Sequence, residues 1–89
     1  MRRFQLVSSV LILWSLAVPA HAGEDIGFEA LPAAVKATVQ REVKGGQILE
    51  VERDQKKGKP IFEIEFLEAG VKWELHVAPD GTLLSRKED

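Results

Sequence analysis

The stretch Phe62-Glu63-Ile64-Glu65-Phe66-Leu67-Glu68-Ala69-Gly70-Val71-Lys72-Trp73-Glu74-Leu75-His76-Val77 decides the fold. Its first half alternates Phe62, Ile64 and Phe66 with Glu63 and Glu65. Its second half alternates Val71, Trp73, Leu75 and Val77 with Lys72, Glu74 and His76. Period two with one apolar face marks a half-buried antiparallel strand pair. A two-residue loop at Ala69-Gly70 pairs Phe66 with Trp73, Ile64 with Leu75 and Phe62 with Val77, all toward the core. The same register sets Glu63 opposite His76 and Glu65 opposite Glu74 on the other face. A one-residue slip would place core residues opposite polar ones, so the register is well specified.

Working outward, Gln47–Arg53 reads as a third strand, with Leu49 and Val51 inward and Glu50 and Glu52 outward. Asp54–Lys59 connects it to the next strand. Pro79-Asp80-Gly81 is a turn signal, and Thr82–Ser85 supplies a short last strand. Upstream, Leu31-Pro32 opens a helix, because proline suits the first helical position. Leu31, Ala34, Val35, Thr38, Val39, Glu42 and Val43 fall on one helical stripe. Gly45-Gly46 stops the helix as a left-handed cap. The expected fold class is α+β: an N-terminal helix covering one face of a three- to four-stranded antiparallel meander.

The chain has 89 residues and a formal charge of −2. Residues 1–22 carry two Arg and no acid, whereas residues 23–89 carry ten basic and fourteen acidic residues, a charge of −4. Arg2-Arg3, the apolar run Leu6–Val18 and the small-residue motif Ala20-His21-Ala22 form the pattern of a secretory signal peptide cleaved after Ala22. The run is interrupted by Ser8, Ser9 and Ser15 and is too short for the roughly 20 apolar residues of a membrane span. The expected organisation is a signal peptide at 1–22, a flexible acidic segment at 23–30 and one domain at 31–89. The expected location is the periplasm or the outside of a bacterium, with membrane contact only during export.

No cysteine is present, which excludes a disulfide framework, a catalytic thiol and a lipidated cysteine. An acidic domain argues against nucleic acid as a partner. Ser85, Thr38 and Thr82 lie in no nucleophile motif, and a domain this small offers little pocket, so no catalysis and no cofactor are expected.

Five carboxylates (Glu50, Glu52, Glu63, Glu65 and Glu74) and His76 are expected to share the uncovered sheet face. This face is either a docking surface for a basic partner or cation, or a solvated face that deters strand pairing. His76 is expected to pair with Glu63. One histidine among carboxylates on a flat sheet falls short of a metal centre, so no metal ligand is assigned. Lys56, Lys57 and Lys59 form a basic hairpin tip. Ile48, Ile61 and Leu67 point outward by parity, beside the charges, as interface anchors or as covers for strand ends. Trp73 belongs to the core face.

Leu31-Pro32-Ala33-Ala34-Val35, Phe62-Glu63-Ile64-Glu65-Phe66, Val71-Lys72-Trp73-Glu74-Leu75 and Asp80-Gly81-Thr82-Leu83-Leu84 together resemble the PepSY-like domains of exported bacterial proteins. Those domains open a helix with a Leu-Pro-x-x-Val motif, then run through Tyr-Glu-Val-Glu-type and Lys-x-Trp-Glu-Leu-type strands to an acidic Gly turn. Phe62 stands where the family often has Tyr, and Ala78-Pro79 replaces the first acidic position of the final turn. The family includes peptidase propeptides and periplasmic inhibitor-like domains similar in build to beta-lactamase inhibitor proteins. The resemblance implies protein binding or inhibition, with an exported peptidase as the implied partner. The family supplies no site residues; from strand parity the residues expected to bind are Glu63, Glu65, Glu74 and His76, with Ile61 and Leu67 as apolar anchors. A cation-binding or envelope stress protein and a subunit stable only as an oligomer are the competing expectations.

Overall fold

The computed structural model describes residues 23–89; the signal-peptide reading of residues 1–22 lies outside the described residues. The fold is α+β, with one helix and a five-stranded antiparallel sheet. The elements run β1 (Glu24–Asp25), a 3-10 turn (Phe28–Ala30), α1 (Ala33–Val43), β2 (Gln47–Lys56), β3 (Lys59–Glu68), β4 (Val71–Val77) and β5 (Leu83–Glu88). Strand order follows sequence order, β1 to β5. No helix among the described residues is long and apolar enough to cross a membrane.

The β3–β4 register matches the parity argument at every rung: Phe62 faces Val77, Glu63 faces His76, Ile64 faces Leu75, Glu65 faces Glu74 and Phe66 faces Trp73. Ala69 (φ 53°) and Gly70 (φ 80°) make the two-residue turn with both φ positive. This mirror-type turn matches the natural twist of a hairpin. Lys57 (φ 54°) and Gly58 (φ 79°) do the same between β2 and β3, with Lys56 facing Lys59 across the turn. The Asp54–Lys59 connection of the sequence reading is therefore mostly strand.

Three expectations need correction. The first concerns β2, where the register shifts between Ile48 and Glu50. Leu49 is the extra residue of a bulge, which reverses parity on its N-terminal side. Ile48 therefore faces Phe66 and packs against the core, while Leu49, expected inside, is 42% exposed. The second concerns the acidic segment 23–30, which is built into the fold. Glu24 and Asp25 pair with Arg53 and Glu52, the Ile26 N–H donates to the Val51 carbonyl at 3.0 Å, and Ile26 and Phe28 pack on the core. The third concerns strand count: β1 and the longer β5 make five strands where three or four were expected.

One apolar cluster joins both layers. Leu31, Val35, Val39 and Val43 meet Val51, Phe62, Ile64, Phe66, Leu75 and Val77, with Trp73 and Leu83 packed at its margin. The left-handed residue that ends α1 is Lys44 (φ 53°), followed by Gly45 (φ 115°). Gly46 then passes so close to the Leu67 carbonyl oxygen that no Cβ would fit. Arg86 of β5 closes the helix side of the sheet. Its guanidinium lies 4.6 Å from the Trp73 ring centre and 5.3 Å from that of Phe66. It donates to the Glu42 carbonyl at 3.1 Å, to Glu42 Oε1 at 3.2 Å and to Glu68 Oε1 at 2.9 Å.

Candidate functional site

The helix covers one face of the sheet, so the polar alternates of β2, β3 and β4 share the other. Glu52 faces Glu63, Glu50 faces Glu65, Glu63 faces His76 and Glu65 faces Glu74. These rungs are adjacent, and the five predicted carboxylates surround one shallow concavity of about 180 Å³. Asp89, at the end of the chain, completes its lining. Strand alternation carries no signal for Asp89. It arrives because β5 runs beside β4, where the Asp89 N–H donates to the Lys72 carbonyl at 2.8 Å.

His76 is buried on this face. Its Nε2 lies 2.9 Å from Glu74 Oε2 and 3.7 Å from Glu63 Oε2. The expected pair with Glu63 across the rung is present, and Glu74, two residues away on the same strand, is a second and closer partner. Lys56 Nζ sits 3.5 Å from His76 Nδ1. An ammonium can only donate, so in the neutral ring Nδ1 would accept from Lys56 and Nε2 would donate to Glu74. Lys72 answers Glu65 at 3.7 Å and Asp89 at 3.8 Å.

The crowding of acids leaves an electrostatic trace. The Glu50 carboxyl holds its proton above the ordinary carboxylate range. The hydrogen bond to Glu52 is the main cause, with burial and the charges of Glu52 and Asp25 adding to it. Glu65 is raised too, first by burial; Lys72 opposes that shift, while Glu50, Asp89 and Glu74 reinforce it. A carboxyl raised on folding favours the folded state at low pH, and that contribution is lost as pH rises through the raised value. Glu50→Gln is therefore expected to raise the melting temperature at pH 7. The gain should vanish near pH 3, about a unit below the ordinary glutamate value, where Glu50 is protonated in either state. A lower melting temperature at pH 7 would contradict this account of the face.

Among the described residues, two groups of donor atoms converge closely enough to hold a cation. Those of Glu63, Glu74 and His76 lie within 4.8 Å of one another, as do those of Asp25, Glu50 and Glu52. The first group has its imidazole nitrogen already committed to Glu74 and Lys56 beside the ring.

The apolar candidates divide. Leu67 is half-buried at the far end of β3. Ile61 is on the outer face by parity yet only 3% exposed. It belongs to an apolar notch with Pro60, Ala78, Pro79 and Leu84, bordered by Lys56 and Lys59. A register shift near Val77 pushes Leu84 outward, leaving it 52% exposed. Sequence parity missed this residue, because a bulge in β5 has no signature in an alternating pattern. Comparison with models of known protein families and with curated proteins finds no match to this chain.

Proposed function

We propose that this chain is a small exported protein-binding module that docks a basic surface of its partner onto the outer face of the sheet. The observation that carries the reading is the ring of Glu50, Glu52, Glu63, Glu65, Glu74 and Asp89 around one concavity. The hydrogen bond to Glu52 and burial raise the Glu50 carboxyl, burial raises that of Glu65, and the charges of neighbouring carboxylates add to both. A lysine or arginine brought into the concavity would relieve that repulsion and replace it with charge-assisted hydrogen bonds. Rigid strands fix the carboxylates in place, so little ordering is needed on binding. The PepSY-like resemblance supports the more specific version, in which the partner is an exported peptidase that the module inhibits or modulates by covering its surface.

A second reading is favoured by the donor convergence at Glu63, Glu74 and His76. In it the face sequesters a divalent cation. It requires His76 to give up its contact with Glu74 and Lys56 to withdraw, so the protein-binding reading ranks first.

One experiment separates the two. Exported proteins are captured on the immobilised protein and on Glu63→Ala/Glu65→Ala/Glu74→Ala, each with a chelator and with added zinc. The protein-binding reading expects a partner retained by the wild type in chelator, released by salt and lost with the triple variant. Equal retention by both proteins would overturn it. Capture only with zinc, with a zinc-dependent rise in melting temperature, would favour the second reading.

A further inference from the structure

The outer face is polar along the strand direction as well as across the sheet. At the hairpin tip stand Lys56 and Lys59, facing each other, with Lys57 in the turn between. One rung further in lies the apolar notch of Pro60, Ile61, Ala78, Pro79 and Leu84. Beyond it come Glu52 and Glu63 with His76, then Glu50, Glu65 and Glu74, with Asp89. The order along the face is therefore basic, apolar, acidic. Asp54, opposite Ile61, and Lys72 and Lys87, beside Glu65 and Glu74, soften this gradient without reversing it.

We infer that this face pairs with the same face of a second copy of the chain. The two-fold axis would lie between the sheets and run across the strands at the level of Ile61 and Leu84. Rotation about that axis reverses strand direction, so the basic tip of each copy lies over Glu52, Glu63 and His76, the near edge of the acidic concavity of the other. Strand rise places Lys59 and Glu63 each about 7 Å from Ile61 on opposite sides, so they meet across the axis. Lys56 and Glu52 are related to Asp54 on β2 in the same way. Leu84 and Pro79 of the two copies meet on the axis itself in an apolar contact, while the two Asp54 carboxylates at the same level on β2 face each other and weaken the pairing. Such an interface is isologous and closes on itself. An axis along the strands would instead set lysine over lysine.

With the axis at Ile61, two residues from the tip, the copies overlap from Lys59 to Glu63, about 17 Å along the strands and four to five strands wide, or roughly 350 Å² per copy. The total of about 700 Å² lies below that of stable association, which fits a weak, salt-sensitive dimer. The pairing occupies the face assigned above to a basic partner, so the two uses exclude each other and a partner binds by displacing the second copy. The dimer is measured on the purified protein alone, so its failure leaves the capture experiment unaffected.

The test is sedimentation of the protein expressed as the full chain and purified in its exported form. The wild type should be dimeric at low salt and dissociate at about 0.5 M salt, where screening shortens to a few ångströms. Lys56→Glu/Lys59→Glu should be monomeric, with a dimer dissociation constant raised by about tenfold or more, and so should Glu52→Lys/Glu63→Lys. An equal mixture of the two should restore a dimer, because each then offers what the other lacks. Leu84→Asp, at an exposed position on the axis, should also be monomeric. If the Glu variant misfolds, the Lys variant and Leu84→Asp decide the matter by themselves. A wild type that stays monomeric at low salt, or a dimer indifferent to these substitutions, would overturn the inference.

Discussion

Phe66→Ala is expected to remove most of the stability of this domain. Phe66 is fully buried and faces Trp73 on one side and Ile48 on the other. Its ring also lies under the Arg86 guanidinium. Truncating a buried phenylalanine costs about 3–5 kcal/mol, since the lost burial is compounded by the cavity left behind. A domain of this size has only about 3–10 kcal/mol in hand. The melting temperature should fall by about 15 °C or more, or the native transition should disappear. Leu84→Ala, at a 52% exposed position, should stay within about 0.5 kcal/mol of wild type. Comparable melting temperatures for Phe66→Ala and Leu84→Ala would refute the placement of the core.

The second large effect is expected at Gly81. This residue has φ 92°, and a Cβ there would lie 2.7 Å from the Ala34 carbonyl oxygen and 3.1 Å from its carbon. The obstacle is helix backbone, which cannot swing aside. The turn is also bolted to the helix: Thr38 Oγ1 donates to the Gly81 carbonyl at 2.5 Å, and the Gly81 N–H donates to Ala78 at 2.8 Å. Strain in the positive-φ region costs about 1–3 kcal/mol, and the clash adds to it. Gly81→Ala should therefore lower stability by about 2–4 kcal/mol in chemical denaturation. Gly58 supplies the control. It has a similar φ of 79° with open space around it, so Gly58→Ala should cost only about 1–2 kcal/mol. Equal losses at the two glycines would show that α1 does not rest on the turn before β5.

These two positions also show which parts of the fold were legible in sequence. The β3–β4 hairpin could be read rung by round rung from residue identities, because alternation and a two-residue turn leave one register. The acidic face followed from the same parity, and all five glutamates took their predicted places. What the pattern could not announce were its interruptions. The bulge at Leu49 exchanges the roles of Ile48 and Leu49, and the shift at Leu84 creates an apolar notch from a residue that alternation leaves without a role. Long-range additions were equally silent. Glu24 and Asp25 join the sheet because β2 is long enough to accept them, and Asp89 reaches the acidic concavity only through the path of β5. Arg86 lies beyond the last strand expected from the sequence, and Trp73, Glu42 and Glu68 converge on it only because β5 runs on to Glu88. His76 pairs with Glu63 across the rung as expected and more closely with Glu74, because same-face neighbours two residues apart compete with cross-strand partners and parity does not rank them.

The central claim is that the outer face of the sheet is a binding surface built from clustered carboxylates. The most direct measurement is retention of an exported partner by the wild type against Glu63→Ala/Glu65→Ala/Glu74→Ala, in chelator and at low salt. The account predicts a partner that the wild type holds, that salt releases and that the triple variant loses while keeping its helix and strand signature. The same partner held equally by both proteins would contradict it.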